Sequence, residues 1–335
     1  MADDRQAHVQ IIICKHSLDM TIMKRLLKVI GIPMIALLAF IGILAVYNQI
    51  AIKAEADNIV PNGEIVDLGN YSVHVYSEGD ANAAPTLVFM SGSATVAPVY
   101  DFKALYSLLS DDYRIAVVEK AGYGYSDIVE IDRDVATMVE EVRNALNGAG
   151  INKPYVLLPH SMSGLEAIYW AQNYPDEVSG IIGIDMSVPD AYADGALNQK
   201  ITRRMMTLGR LSVKLGLLRI PGIYPLNEAP LTDEEVIQQK LLMYRNAVNP
   251  VYIAEGQNVW ENAKVVKAGG NLTCPLLMFC SDGTEIGDFW IPVQKEFAEE
   301  NQAEIVFFDC GHYIHYFKSE EMKKQIEAFL DRILE

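Results

Sequence analysis

The chain has 335 residues, enough for one large domain or two small ones, and half are hydrophobic, so a sizeable core can be buried. Its formal net charge of −17 argues against nucleic acid as a partner, and against docking of the folded domain on anionic lipid. Cys14, Cys274, Cys280 and Cys310 show no metal-ligand spacing. Cys280 and Cys310 each end an apolar run, which leaves proximity open, but free thiols are the expectation.

The first predicted element is a membrane helix. No charged residue occurs from Val29 to Ile52, and a helix of that length covers roughly 36 Å, enough for a hydrocarbon layer of about 30 Å. Lys24, Arg25 and Lys28 precede the run, while only Lys53 follows before Lys103. That asymmetry puts residues 1–28 in the cytoplasm, 29–52 across the membrane as a signal anchor, and the rest outside. A cleaved signal peptide is the alternative, because Ala54-Glu55-Ala56 resembles a cleavage site and Met20 or Met23 would give a shorter leader. The apolar run is long for that purpose.

From residue 57 onward strands and helices alternate. Glu64–Leu68 and Tyr71–Tyr76 flank Gly69-Asn70 as a hairpin. Strands are expected at Pro85–Met90, Tyr113–Val118, Pro154–Leu158, Gly180–Ile184, Pro275–Cys280 and Glu304–Phe308. Helical spacing occurs at Val99–Leu109, Ala136–Leu146, Gly164–Asn173, Val293–Glu300 and Glu320–Leu334. This alternation implies a parallel sheet covered on both faces. Residues 187–274 break it: they carry helical patterns at Gln199–Leu215 and Asp233–Asn246 but no convincing strand. A connection that long reads as an inserted helical cap or lid, or as a small core of its own, built around Met205, Met206, Met243, Tyr224, Tyr244, Tyr252 and Trp260.

The most informative short segment is Pro159-His160-Ser161-Met162-Ser163, between a strand and a helix. A serine at a sharp strand-to-helix turn is pushed clear of the backbone, and the Met162 amide at the helix start faces a developing oxyanion. Pro159 and Ser163 replace the two glycines usual at such a turn. A serine nucleophile needs a base held by a third group. His312, after the last strand and beside Gly311, is the candidate base; His315 is its rival, and His160 is expected to point away. The acid is either Asp282, after the penultimate strand, or Asp185, at the end of the strand at 180–184. Asp282 is the first choice and Glu285 the third. The second oxyanion donor is the Ser93 amide, in the small-residue loop Ser91-Gly92-Ser93-Ala94-Thr95.

These pieces, in this order, resemble the α/β-hydrolase superfamily from about residue 60 to 335. Ser91-Gly92-Ser93 matches its oxyanion loop, Ala121–Ser126 its Gly-x-Gly-x-Ser loop, Pro159–Ser163 its nucleophile elbow and Gly311-His312 its terminal histidine. The resemblance implies an α/β fold with a mostly parallel eight-stranded sheet flanked by helices, over residues 57–335, with the helical cap after strand six. Members with an ordinary acid carry Gly-x-x-Asp after the penultimate strand. Here Ser281 and Thr284 take those two places, which leaves Asp282 out of phase and keeps Asp185 open. The expected activity is hydrolysis of an ester or related acyl bond in a small, partly apolar substrate, with no metal and no organic cofactor. The alternatives are a prolyl-type aminopeptidase using acidic residues among Glu228, Asp233, Glu234 and Glu235, an acyltransferase, or a non-catalytic binding protein. The membrane is the only other expected partner, through the N-terminal helix, and the oligomeric state stays open.

Overall fold

Short runs of Val, Ile, Leu and Phe, bounded by Gly, Pro, Asp and Ser, set the strands. In the computed structural model, residue 23 and residues 27–193, 199–223 and 230–334 are described. A π-turn at Leu27–Gly31 leads into helix α1, Ile32–Glu55. The strands are β1 Glu64–Asp67, β2 Ser72–Glu78, β3 Thr86–Met90, β4 Ile115–Glu119, β5 Tyr155–Pro159, β6 Val178–Ile184, β7 Leu276–Cys280 and β8 Glu304–Phe307. They form one eight-stranded sheet in the order β1-β2-β4-β3-β5-β6-β7-β8. Only the β1/β2 and β2/β4 pairings are antiparallel; the other five are parallel. The expected strands are all present, with ends shifted by one or two residues.

Strands β3, β4, β5 and β7 are buried along their whole length, as parallel strands covered on both faces must be. Alternate residues feed two cores. Val88, Ala116, Leu157 and Met278 face one, while Leu87, Val117, Val156 and Phe279 face the other. The period of two is the pleat. On the second side lie α2 Pro98–Asp101, α3 Lys103–Leu109 and, near the C-terminus, Ser319–Leu334. The first side holds α4 Val135–Gly148 and α5 Gly164–Asn173. The helix expected at Val99–Leu109 is broken at Phe102.

Three described α-helices lie between β6 and β7: α6 Gln199–Lys214, α7 Asp233–Asn246 and α8 Pro250–Ala268. Thr232 and Glu235 form a reciprocal capping box for α7. Asn249 caps α8, accepting from the Val251 amide at 2.8 Å, with Pro250 in the first turn. Helix α8 is no loose appendage. Its Val259, Ala263 and Val266 belong to the same core as Leu165 and Ala171 of α5. Of the residues expected to line the insertion, Met243 and Tyr252 are buried and Met205 is exposed. Tyr224 and Glu228 lie outside the described residues. The chain continues with α9 Trp290–Glu300, α10 Ile314–Phe317 and α11 Ser319–Leu334.

A buried ionic cluster ties α8 to the sheet. Arg133 reaches Glu255 of α8 and Glu141 of α4, each at 2.6 Å, and its side chain is wholly buried. Lys120, just past β4, pairs with Glu166 at 2.5 Å, and Tyr123 donates its hydroxyl to Glu255. Burial disfavours the charged form of both Glu166 and Glu255, yet they diverge. Two cations and a tyrosine hold Glu255 below the usual carboxylate range. Glu166, with Lys120 as its one close cation and Oε2 without a hydrogen-bond partner, is raised by its burial. Removing one member of such a cluster leaves a buried charge uncompensated. Arg133→Ala should therefore cost about 3–5 kcal/mol in urea unfolding monitored in detergent micelles. A loss below about 1 kcal/mol would show that Glu141 and Glu255 are hydrated instead.

Candidate active site

The C-terminal ends of β5, β6, β7 and β8 bring the candidate residues together. A parallel bridge pairs His160 with Ile184, so Ser161 and Asp185 leave adjacent strands side by side. The Asp185 amide then donates to Phe279 of β7 at 2.8 Å, and Phe308, after β8, donates to Cys280 at 2.8 Å. The loop after β8 carries His312 back over this edge.

Ser161 has φ 53°, in the left-handed region that non-glycine residues rarely occupy. It opens a tight turn, Ser161–Ser163, from which α5 starts. The turn is held from both sides: the Ser161 carbonyl accepts from Ser187 N at 2.7 Å, and the His160 amide donates to Met90 O at 2.9 Å. The hydroxyl of Ser163 lies 2.7 Å from Met90 O and 2.8 Å from His160 O, so serine at this glycine position adds a tether and fits. Pro159 stands opposite Met90 in the parallel pairing. Gly92 cannot be larger: an added Cβ would lie 2.7 Å from Ser161 Cβ and 3.1 Å from the His160 carbonyl. The loop carrying Ser93 therefore sits directly against Ser161, with Ser93 half-buried and Met162 buried in the turn. Tyr252 of α8 reaches this loop too, donating to Thr95 O at 3.2 Å.

The acid that meets the histidine is Asp185, not Asp282. His312 Nδ1 lies 2.6 Å from Asp185 Oδ2. The other oxygen of Asp185 accepts from the Ser281 amide at 2.9 Å and from Trp290 Nε1 at 2.7 Å. The carboxylate is fully buried and oriented by all three groups, while the His312 side chain keeps 16% exposure. Asp282 instead turns outward and accepts from the amide and hydroxyl of Thr284, at 2.9 and 2.6 Å. That local turn satisfies it where it stands. Glu285 holds the backbone of His312, accepting from its amide at 2.8 Å, and does not meet the ring.

His160 does not point away from the site. Its ring centroid is 4.6 Å from that of His312 and 4.9 Å from that of His315, and its Nε2 lies 3.3 Å from the His312 carbonyl. His315 is fully buried, at 3.3 Å from Asp101, which also accepts from Tyr316. It is buried against Asp101 and stands apart from Asp185. The residues that sequence reasoning missed, Trp290, Ser281 and Asp101, come from a helix start, a loop and a helix end, with no local pattern to mark them. Cys280 and Cys310 are free thiols, with burial pushing both upward, as expected. A cleft of about 360 Å³ between Glu55 and Arg245 contains none of Ser161, His312 or Asp185.

An α/β sheet with a serine on a strained elbow and a carboxylate-bound histidine at its C-terminal edge defines a class. Residues 85–203 match the family model for the alpha/beta hydrolase fold. Uncharacterized protein YbdG of Bacillus subtilis is 33% identical, over 93% of this chain and 100% of that protein. The 2-(acetamidomethylene)succinate hydrolase of Mesorhizobium japonicum is 25% identical over 36% of this chain and 42% of its own length. A carboxylesterase structure from Nitrososphaera gargenis superposes with TM-score 0.58 at 17% identity, covering 81% of this chain and 99% of that one, which is a likeness of fold. The chain belongs to the alpha/beta-hydrolase superfamily, and its relatives support hydrolase activity.

Burial, with the like charges of His312 and His315, holds His160 well below the ordinary histidine range, so it is neutral in the folded chain. The unfolded chain protonates it below the ordinary histidine value of 6.5, and the folded chain resists. Its stabilising contribution is complete above that value and is lost as pH falls. Glu166, raised by burial, acts in the opposite sense, gaining stability as pH falls towards 4.5. Comparison with His160→Gln cancels that share. The thermal midpoint of the unaltered chain should fall relative to that of His160→Gln between about pH 6.5 and 5. Parallel curves would contradict a buried neutral histidine.

Proposed function

We propose that the chain is a membrane-anchored serine hydrolase that cleaves an ester or related acyl bond. The observation that carries this reading is the 2.6 Å contact between His312 Nδ1 and a buried, fully hydrogen-bonded Asp185, at the edge where Ser161 leaves its strand with φ 53°. Asp185 orients the imidazole and stabilises its charged form. His312 takes the proton of the Ser161 hydroxyl as oxygen attacks the acyl carbonyl, then returns it to the departing alcohol. Water, activated by the same imidazole, releases the acyl group from Ser161. The amides of Met162 and Ser93 are the oxyanion donors, and the chemistry needs no cofactor.

The helices of residues 187–274 are the cap over this edge. They shape a small, partly apolar site for the acyl or alcohol portion of the substrate. Helix α1 is the membrane span, with residues 1–28 on the cytoplasmic side and residues 57–335 outside. It is long and apolar enough by length and composition, with mean hydropathy 2.8 over its best window. The aminopeptidase alternative loses support from Glu235, which is engaged by Lys103 at 2.5 and 2.6 Å and by its own helix cap.

A fluorophosphonate probe applied to the full chain in detergent tests the reading. Labelling is expected in the unaltered chain, with loss of about a thousandfold or more in rate for Ser161→Ala and His312→Ala, followed by turnover on a panel of short acyl esters. A folded chain that fails to label would sink the serine mechanism and leave a ligand-binding protein on this fold.

A further inference from the structure

Helix α6 differs from the rest of a chain with formal net charge −17. From Gln199 to Arg219 it and its following turn contain Lys200, Arg203, Arg204, Arg210, Lys214 and Arg219, and no acidic residue. Arg203, Arg204 and Lys214 are exposed. So are Met205, Leu208 and Leu211, at 67%, 67% and 52%, which stand three apart along one side of the helix. Ile223, beyond the turn, is 55% exposed. The opposite side is taken: Met206 packs against Gly256 of α8. An exposed apolar stripe flanked by basic side chains is the composition of a helix lying in a membrane surface.

The place of α6 relative to α1 gives the second, independent observation. Asn48 Nδ2 donates to Val213 O at 3.1 Å, and Arg219 Nε donates to Asn48 Oδ1 at 2.7 Å. The Arg219 guanidinium also forms a two-pronged pair with Glu55, at 2.8 and 2.7 Å, and lies 4.1 Å from the Tyr244 ring centre. The Arg219 side chain is only 7% exposed, so the joint is a packed one. Before Leu44 the helix presents bare apolar side chains, with Val29, Ile35 and Ile43 each about 70% exposed. From Lys28 to Tyr47 it covers about 30 Å, the thickness of a hydrocarbon layer. Tyr47 and Asn48 therefore mark the level at which it leaves the lipid, and that is where the end of α6 is fastened.

We infer that α6 and the turn to Ile223 lie in the surface of the membrane that α1 enters, with Met205, Leu208 and Leu211 in the lipid and Arg203, Arg204 and Lys214 on anionic headgroups. The overall negative charge would repel such a surface; the strip of basic residues reverses the sign where contact occurs. The inference rests on the membrane-spanning reading of α1. Its consequence is that helices between β6 and β7 are held at the bilayer, so a lipophilic ester can reach the Ser161 edge from the lipid side.

The test reconstitutes the full chain in phosphatidylcholine vesicles, with and without phosphatidylglycerol, carrying a photoactivatable lipid, and maps cross-links by mass spectrometry. Cross-links are expected within residues 29–47 in both mixtures, and within 199–223 about fivefold more with phosphatidylglycerol. The triple variant Arg203→Glu, Arg204→Glu, Lys214→Glu should lose that gain while keeping the cross-links in 29–47. Cross-links in 29–47 alone would overturn the docking of α6 and leave the anchor standing. Their absence from both segments would overturn the anchor, and the inference with it. Equal cross-linking of 199–223 in the two mixtures would overturn the role of anionic headgroups.

Discussion

The buried carboxylate of Asp185 is the constraint around which the rest of the candidate site is arranged. It is fully buried, a costly place for a charge unless both oxygens are hydrogen-bonded. Ser281 and Trp290 serve one oxygen and His312 the other. Each comes from a different element, so the acid can stand there only if β6, β7, α9 and the loop after β8 are all in place. The parallel sheet meets that demand by ending its strands at one edge, where the next residues turn outward together. Asp185 itself has φ 45°, and Ser161 beside it φ 53°: two neighbouring strands end in strained turns at the candidate site.

The same logic extends below and behind the site. His160 sits under His312 as a neutral ring, and His315 with Asp101 packs behind it. On the other side, Tyr252 and Glu255 connect α8 to the Thr95 loop and to Arg133. The helices between β6 and β7 are thus held by a buried ionic cluster through Glu255 and by the Arg219–Glu55 joint to α1. Helices α7 and α8 both reach the main cores, through Leu242 and through Val259, Ala263 and Val266.

Much of the fold was legible because period-two apolar runs and glycine or proline boundaries are local signals. The hairpin at Gly69-Asn70 and the strand before Ser161 carried them, and the terminal helix at Ser319–Leu334 carried the 3.6-residue period instead. Helix α8 was not singled out, although Asn249-Pro250 is a helix-start pattern; its buried face carries the polar Glu255 and Asn262 and its exposed face the apolar Val265, which blurs the stripe. The nucleophile turn and the histidine were legible for the same local reasons. The acid was not. Asp282 and Asp185 both follow strands, and only the pairing of β6 between β5 and β7 decides which one stands beside His312. That information is in the sheet order, not in either segment. A total charge of −17 likewise hid the basic strip on α6, which only its position reveals.

The central claim is that Asp185, and not Asp282, serves His312. The most direct measurement compares the second-order rate of fluorophosphonate reaction for Asp185→Asn and Asp282→Asn in the full chain at neutral pH. Asp185→Asn should slow the reaction by about three to four orders of magnitude, because the amide no longer supports the charged imidazole. Asp282→Asn should stay within about threefold, since it removes only a turn contact. Comparable losses in both, or the larger loss in Asp282→Asn, would contradict the account.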